Sequence, residues 1–410
     1  MNPVWMFTIF FIVVFSVFSL MQYRLYRLFR SWLRRSFEGL QRKRWERGGK
    51  LALIGFNLLL LMQIPVRMGS FYDFMPIQIL IVYPAGLFFA TVVFAFLIVT
   101  VADVVCLMTD GVRLIFHRSP KTRAGYAELP LSNGRREFLR KGGMGAAAVV
   151  GSFPLVASIA TARDYQINRI TMPFKEFPPE LNGLTIAHVS DLHSGLYMTE
   201  NNMREIFDIV NGLSADFVLM TGDFVDSADS QIEPLVNALK TLHMRAPVYG
   251  CLGNHDHFAT VEKVSAALER SGVVLLNNSS ERIVMNNRDV MLVGIDDAGR
   301  GAANFARFDT AMRHVEPDVF KIMLTHRPDV WDECRERGIH LTLAGHTHGG
   351  QVGFRLGPLN LNPVYLVHKY AMGEYVEQDR RLYVNVGVGM VGVPIRMVKP
   401  EIALVTLETS

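Results

Sequence analysis

Short apolar runs in the second half of the chain end repeatedly in aspartate, asparagine or histidine. Gly253-Asn254-His255-Asp256 follows the apolar run Pro247–Leu252. Four further tips have the same character: Asp191-Leu192-His193, Gly222-Asp223-Phe224-Val225-Asp226, Thr325-His326 and Gly345-His346-Thr347-His348. Open α/β sheets place their sites at the carboxyl ends of the strands. We therefore expect these side chains to converge, with glycines 222, 253 and 345 letting the backbone turn sharply as each strand ends.

The donor types at these tips indicate a metal site. Imidazole and carboxylate groups without cysteine suit divalent ions such as Mn, Fe, Zn or Mg. The candidate ligands are Asp191, His193, Asp223, Asn254, His326, His346 and His348. They are too many for one mononuclear catalytic zinc site, so they predict two metals sharing a bridging carboxylate. Such a pair clamps both oxygens of an in-line displacement and holds a water that is deprotonated near neutral pH, as phosphoryl transfer requires.

His255 is a candidate for proton transfer rather than metal binding. It follows Asn254 directly, so its side chain could reach a leaving-group oxygen. Asp226 could hold the other ring nitrogen and favour the protonated form by charge pairing. Arg396 could contact a phosphate, although a solvated charge is the ordinary interpretation of such a residue.

From Arg163 onward the pattern alternates between strands and helices. Strands are predicted at Leu184–Ser190, Asp216–Thr221, Val248–Leu252, Val273–Leu276, Arg282–Met285, Val290–Ile295, Phe320–Leu324, Leu341–Ala344, Leu382–Val386, Ile395–Val398 and Ile402–Leu407. Helices are predicted at Glu200–Leu213, Ile232–Leu242, Thr260–Arg270 and Asn304–Arg313, with Thr260 as a cap. The proline-bearing segment Phe174–Pro179 is predicted to be a linker or an edge. This order favours two packed sheets with helices outside.

The five tips, taken together, resemble the motifs of the calcineurin-like metallophosphoesterase superfamily over roughly residues 181–407. The resemblance implies an α/β fold, an αββα sandwich of two mixed sheets with a dinuclear centre between strand ends. It implies that one metal is served by Asp191, His193 and His348, and the other by Asn254, His326 and His346, with Asp223 as the bridge. It also implies that His255 is the proton donor or phosphate contact, paired with Asp226. The expected reaction is hydrolysis of a phosphomonoester, phosphodiester or pyrophosphate by a metal-bridging hydroxide.

Two further features resemble the membrane-tethered branch of this superfamily, which includes transmembrane and twin-arginine-exported members. They are Gly349-Gly350-Gln351, and Leu382-Tyr383-Val384-Asn385 followed by Pro394-Ile395-Arg396. Some relatives in this branch hydrolyse the pyrophosphate of UDP-2,3-diacylglucosamine in lipid A synthesis, which is one alternative function and requires a cytoplasmic site. A metal-bound scaffold without catalysis is the other alternative. A transporter would need ionisable residues inside several spans, and Asp103 alone fits.

Half of all residues are hydrophobic, and the excess lies before residue 165. Apolar runs Pro3–Leu20, Leu51–Val66 and Pro76–Met108 predict three transmembrane helices within residues 1–110. The segment Arg24–Lys50 and the segment 111–141 are both rich in Arg and Lys, and three crossings place both on one side. The positive-inside bias predicts that they are cytoplasmic loops rather than a nucleic-acid site. The cysteines Cys106, Cys251 and Cys334 are too few and too scattered for a disulfide framework.

A targeting pattern precedes the globular part. Arg135-Arg136 with Phe138-Leu139 and Lys141 resembles a twin-arginine signal, and the apolar segment 142–162 follows as a fourth anchor or a signal. Either interpretation places a catalytic domain at 171–410 on the periplasmic, extracytoplasmic face of the inner membrane. A segment lying only on the membrane surface would leave that domain cytoplasmic. The partners expected are the membrane, a phosphate-ester substrate that could derive from lipid or envelope, and the twin-arginine translocase.

Overall fold

The computed structural model describes residues 3–68, 77–116, 162–243, 247–297, 303–356, 359–392 and 395–410. The chain divides into two compact units. The first unit is helical in its described residues, and the second, from residue 162 onward, is an α/β unit.

The helical unit contains three long helices, α1 (Pro3–Ser36), α2 (Gly39–Met68) and α3 (Tyr83–Phe116), with a π-helical turn before α3. Ile12–Ser36 and Leu80–Val105 are long and apolar enough to cross a bilayer. Among the described helices, α2 does not meet that criterion, although it contains the predicted span Leu51–Val66.

The basic segment Arg24–Lys50, predicted to be a cytoplasmic loop, is largely helical. It is helical on both sides of a short break at residues 37 and 38, because α1 continues to Ser36 and α2 begins at Gly39. Arginine and lysine are good helix formers, so a basic run between two apolar helices extends them readily. Gly39 has a φ of 55°, which lets the chain reverse at this break.

Polar pairs join the helices of this unit. The amides of Gln22 and Asn57 exchange two hydrogen bonds, of 3.0 and 2.9 Å. Arg24 forms an ion pair with Asp103, and the rings of Phe18 and Phe89 stack with centroids 4.8 Å apart. Paired polar groups of this kind connect helices in an apolar environment. The twin-arginine-like motif and almost all of the segment 142–162 lie outside the described residues, so both remain predictions.

The α/β unit contains fourteen strands in its described residues. They are β1 (Gln166–Phe174), β2 (Leu184–Val189), β3 (Phe217–Thr221), β4 (Val248–Cys251), β5 (Val273–Leu275), β6 (Ser279–Met285), β7 (Arg288–Gly294), β8 (Phe320–Leu324), β9 (Leu341–Ala344), β10 (Phe354–Leu356), β11 (Leu359–Leu361), β12 (Gly373–Glu377), β13 (Arg380–Val384) and β14 (Glu401–Thr409). The helices are α4 (Glu200–Leu213), α5 (Ile232–Leu239), α6 (Val261–Arg270), α7 (Ala303–Ala311) and α8 (Trp331–Glu336).

Two six-stranded mixed sheets form the frame. The first has the order β1-β14-β2-β3-β4-β5, in which β14 pairs antiparallel with β2 and the other pairs are parallel. The second has the order β12-β13-β9-β8-β7-β6, with antiparallel pairs at its two edges. A β10–β11 hairpin stands apart from both.

Three clusters of buried apolar side chains hold the two sheets and the outer helices together as layers. One buried cluster joins the inner faces of the two sheets, with Ile186 and Leu219 from the first and Ile322 from the second. A second cluster packs α4 on the outer face of the first sheet, and a third packs α7 and α8 on the outer face of the other. The predicted αββα sandwich of two mixed sheets is therefore confirmed.

Three local predictions differ from the structure. The first strand begins at Gln166, before the predicted domain boundary at residue 171, and pairs along its whole length with β14. Residues 395–398 are not a strand, because the amides of Met397 and Val398 donate to the carbonyl of Gln351 instead of to a neighbouring strand. Thr260 occupies the N-cap position of α6, as predicted, but its side chain makes no capping hydrogen bond, since its hydroxyl bonds the Asp229 carboxylate at 3.0 Å.

Candidate metal centre

The five polar tips follow β2, β3, β4, β8 and β9, at the edge where both sheets present their carboxyl ends. Main-chain hydrogen bonds join the tips directly. The amide of Asp191 donates to Gly222 at 3.1 Å, that of His193 to Asp223 at 2.8 Å, and that of Gly345 to His326 at 3.0 Å. The tips are therefore held against one another by backbone before any side chain is considered.

The backbone at the candidate ligands is unusual. Asp191, His193, Asp223, His346 and His348 all have positive φ, between 47° and 73°. Non-glycine residues adopt this conformation uncommonly, with aspartate and histidine among the more tolerant. Strained residues persist where the surrounding structure fixes them, and they cluster at functional sites.

Two of the three glycines are required because there is no room for a side chain, and not because the backbone turns sharply there. Gly222 has a φ of 82°, as the expected turn requires, whereas Gly253 and Gly345 do not have positive φ. A Cβ on Gly253 would lie 2.2 Å from Asp223 Oδ1, and one on Gly345 would lie 1.9 Å from Ser190 Oγ and 2.3 Å from Asp191 Oδ2. These two glycines therefore admit the carboxylates of the candidate ligands.

The first cluster contains Asp191, His193 and His348, all buried. The Nε2 atoms of His193 and His348 lie 3.1 Å apart, and His348 Nε2 lies 3.4 Å from Asp191 Oδ1. The three ligand atoms lie within 4.8 Å of one another, close enough to hold one metal ion.

The second cluster contains Asp223, His326 and His346. His326 Nε2 lies 3.1 Å from Asp223 Oδ2 and 3.1 Å from His346 Nδ1. Asp223 Oδ2 also lies 3.4 Å from His193 Nε2 of the first cluster. One carboxylate oxygen thus faces both clusters, which is the position a bridging ligand needs.

The donor set fits a pair of divalent ions. Asn254 Oδ1 is buried and has no hydrogen-bond partner among the described residues, which is costly unless a cation completes it. His326 Nδ1 donates to the Thr221 carbonyl, 2.8 Å away, so its Nε2 faces the cluster. Histidine ligands are commonly oriented by such a contact on the other ring nitrogen.

The charges in the cluster are coupled. Burial opposes ionisation of Asp223, but His326 and His193 hold the pKa of its carboxyl well below the usual value. The Asp223 carboxylate correspondingly raises the pKa of His326 to about 10 against the effect of burial. Burial, with neighbouring cations, lowers the pKa of His346 to about 2. The site therefore stabilises positive charge at its centre and keeps His346 neutral, as a metal ligand must be.

Asp226 lies between His193 and His255. Its Oδ1 is 3.6 Å from His193 Nδ1 and 3.7 Å from His255 Nδ1, while the closer contact of His255 Nδ1 is to the Asp226 main-chain carbonyl. Burial and the neighbouring His193 lower the pKa of His255. Asp226 does favour the protonated form of His255, through its carbonyl and its charge, but burial and His193 outweigh this effect.

Asp256 is part of the sequence motif after β4, but the sequence alone does not reveal its role, which is to position the backbone. Its Oδ1 accepts from the amides of Phe224 and Val225 at 2.8 and 3.1 Å, and its Oδ2 accepts from Gly253 at 2.8 Å. It thereby ties the tip after β3 to the tip after β4. Burial, with Asp223, raises its pKa to about 7.

Arg396 is fully buried, so its interpretation as a solvated charge is wrong. Its guanidinium donates to the carbonyls of Val386 and Gly387 at 2.8 and 2.7 Å, and also to Gly389. Nη1 lies 3.4 Å from His348 Nδ1. Arg396 therefore organises the backbone behind His348, and no periodic pattern in the sequence signals that role.

Arg327 occupies the equivalent position behind the second cluster. Its Nη1 lies 2.8 Å from His346 Nε2, and its Nε lies 2.6 Å from Asp297 Oδ2. It directly follows the predicted ligand His326, and that adjacency is the signal that sequence reasoning missed.

The sandwich and its paired His/Asp clusters define an α/β protein with a candidate dinuclear metal centre at its strand ends. The family model of calcineurin-like phosphoesterases matches residues 184–350, which contain all five tips. The chain therefore carries a calcineurin-like metallophosphoesterase domain. That family binds a dinuclear metal centre and implies a metal-dependent phosphoester hydrolase.

Curated relatives agree with this assignment. The chain is 28% identical over 290 residues to the uncharacterized metallophosphoesterase YkuE of Bacillus subtilis, covering 67% of this chain and 98% of that protein. It is 29% identical over 276 residues to the transmembrane protein with metallophosphoesterase domain of Danio rerio, covering 64% of this chain and 61% of that protein. Less than two thirds of the fish protein is thus matched.

Solved structures show a more distant likeness. The TT1561 protein of Thermus thermophilus is similar with 10% identity and a TM-score of 0.35, over 50% of this chain and 91% of that one. A dimetal phosphatase from Danio rerio is similar with 10% identity and a TM-score of 0.30, over 50% of this chain and 88% of that one. Likeness at this level carries no argument about activity.

Proposed function

We propose that this protein is a membrane-anchored phosphoesterase that hydrolyses a phosphomonoester, phosphodiester or pyrophosphate with two divalent ions. The observation that carries the proposal is the position of Asp223, whose Oδ2 lies 3.4 Å from His193 and 3.1 Å from His326 and so joins the two clusters. Asp191, His193 and His348 hold one ion, and Asn254, His326 and His346 hold the other. When bound, such ions neutralise phosphate charge and activate water for in-line attack.

His255 manages the leaving group's proton. Its ring lies 4.6 Å from that of His193, and its Nδ1 contacts the Asp226 carbonyl, which leaves Nε2 to face substrate. Because the pKa of His255 is lowered in this state, protonation of Nε2 depends on the arriving substrate. An anionic phosphoester beside the ring favours the charged form, and the proton then passes to the leaving oxygen.

The experiment that tests this proposal is hydrolysis of p-nitrophenyl phosphate and bis-p-nitrophenyl phosphate by the purified full chain with added Mn²⁺. We expect release of nitrophenol that stops on chelation and returns on metal addition. A folded protein that binds two ions yet hydrolyses neither ester would instead favour the non-catalytic scaffold.

We propose further that the domain works on the extracytoplasmic face of the inner membrane. Support comes from the basic segments Arg24–Lys50 and 111–141, which the positive-inside bias places in the cytoplasm, and from the twin-arginine-like motif in the sequence. Alkaline phosphatase, which is active only outside the cytoplasm, should be active when fused after Asp164. An inactive fusion, with a cytoplasmic fluorescent reporter active at the same junction, would place the domain inside and make the UDP-2,3-diacylglucosamine alternative the better one.

A further inference from the structure

Three consecutive apolar side chains project from the domain beside the candidate metal centre. Tyr365, Leu366 and Val367 are 44, 89 and 73% exposed. We call these three residues the apolar tip. They lie at the end of the short 3-10 helix Pro363–Leu366, in the connection from β11 to β12.

The apolar tip is presented by a fixed turn. Asn362 is buried, and its Nδ2 donates to the Gly349 carbonyl at 2.6 Å while its Oδ1 accepts from the Val364 amide at 3.1 Å. Val364 is also buried, and its carbonyl accepts from the His368 amide at 2.8 Å. An asparagine cap followed by proline is a preferred start for a helical turn. The residues on both sides of the tip are therefore held in place while the tip itself faces solvent.

The apolar tip adjoins the second cluster. The ring of His368, the residue after the tip, lies edge-on to that of His346 with centroids 5.6 Å apart. Gly349, to which the turn is fastened, follows His348 directly. A second exposed apolar residue, Phe258 at 63%, lies edge-on to the ring of His255, 4.9 Å away. Apolar side chains thus stand beside both clusters.

We infer that the apolar tip docks onto a lipid bilayer. Three side chains on a convex turn bury far less than the roughly 1,000 Å² that a specific protein interface needs, whereas insertion of a few apolar residues into the headgroup boundary is sufficient for a peripheral membrane contact. Tyrosine beside leucine and valine is the composition of that boundary. In the membrane-anchored protein proposed above, the helices of membrane-spanning length keep a bilayer at high local concentration.

Docking brings the metal centre to the level of the lipid headgroups. The ring of His346 contacts the ring of His368, which directly follows the tip. An interfacial helix enters the bilayer surface by about 5–10 Å. Docking rests on the proposed membrane anchoring and does not require the proposed catalysis.

The test uses the full chain reconstituted in vesicles of phosphatidylethanolamine and phosphatidylglycerol. Cys251 and Cys334 are buried, so a Cys106→Ser background lets a single introduced cysteine carry the environment-sensitive fluorophore NBD. One variant is Leu366→Cys. The matched control is Val284→Cys, an exposed apolar position, 61%, at the end of β6 that pairs with the start of β7, away from the strand ends bearing the clusters.

We expect NBD at position 366 to emit at shorter wavelength than at 284 and to be quenched severalfold more by nitroxide-labelled lipids. The inference would be overturned if NBD at position 366 emitted at the wavelength of NBD in water and was quenched by aqueous iodide but not by lipid nitroxides. The inference would also be overturned, in favour of contact with a second copy, if the blue shift grew with the number of chains per vesicle while lipid nitroxides did not quench the emission. Equal metal content in both labelled variants, with or without hydrolytic activity, shows that the domain is folded.

Discussion

Asp223 is the side chain on which both clusters depend, because one of its oxygens faces a histidine from each. Asp223→Asn removes the negative charge while keeping the shape. We expect the full chain to lose both divalent ions, measured by elemental analysis after metal loading and desalting. Asp229→Asn, at an exposed carboxylate that pairs with Lys263, is the control and should keep both. Retention of two ions by the Asp223 variant would exclude a bridging role.

The ring of His255 lies 4.6 Å from that of His193, and we propose that it acts on substrate rather than holding a metal. His255→Ala should lower kcat by roughly 10²–10⁴-fold, the usual contribution of general acid–base catalysis, with metal content kept. The loss should be largest for esters with poor leaving groups, which need a proton most. His243→Ala, at an exposed position, should behave as the parent protein. Equal losses for good and poor leaving groups would remove His255 from proton transfer.

The predictable part of the site is the part built from adjacent residues. Each tip joins an apolar run to Asp, Asn or His, and that pattern is visible without knowing which strands are neighbours. Arg396 is different, because its buried guanidinium donates to the carbonyls of Val386, Gly387 and Gly389. These carbonyls converge only after folding. A charged residue is ordinarily exposed, so nothing in its own surroundings in the sequence indicates burial.

Among the elements, the turn after β9 depends on the absence of a side chain at Gly345. Gly345→Ala would place a methyl group 1.9 Å from Ser190 Oγ and 2.3 Å from Asp191 Oδ2. We expect a loss of about 1–3 kcal/mol in the free energy of unfolding, as for other overpacked sites, and weaker binding of one ion. Urea unfolding and metal titration measure the two effects. Gly212→Ala in α4, where nothing lies within 4 Å, should be neutral or slightly stabilising.

At the start of β9, His340 gives the fold a dependence on pH. Its Nδ1 accepts from the Lys321 amide at 3.0 Å and its Nε2 contacts Glu176 at 2.9 Å, and burial with Arg380 lowers its pKa from 6.5 to about 4. Between these two values the unfolded chain binds a proton that the folded chain does not, so stability falls as pH falls.

His340→Gln should remove much of that dependence, which is on the order of 3 kcal/mol at full extent. Urea midpoints of the full chain from pH 7 to pH 4, a range spanning both pKa values, measure it. His314→Gln, at an exposed histidine, is the control and should follow the parent protein. Parallel curves for the parent and the His340 variant would contradict the assignment.

Two of the strands that the sequence does not reveal, β1 and β12, lie at sheet edges. The first strand, β1, is mostly exposed or half-exposed and contains Pro173, which edge strands tolerate and central strands do not. Its residues therefore lack the buried apolar run that identifies β2, β3 and β8. Pairing with β14 holds β1 in place, and pairing partners distant in sequence are invisible to a local pattern.

At the scale of the whole molecule, the domain needs this edge. A chain beginning at residue 171 loses Gln166–Ile170 and with them the pairing of Glu401–Val405. We expect it to unfold at lower temperature and to associate, because an unpaired strand edge is a template for other chains. A chain beginning at residue 162 is the comparison, and thermal unfolding with light scattering distinguishes the two. Equal behaviour would show that β1 is dispensable.

The place of β14 has a consequence for the order in which the chain is made. This strand lies between β1 and β2, yet it is synthesised after every other described strand. During translation β1 has no neighbour in its sheet until β14 is made, and the first sheet stays divided until then. The carboxylate after β2 is therefore fixed late, and ions added to a nascent chain should find no complete centre. Assembly of the first sheet therefore waits for β14, the strand made after every other described one.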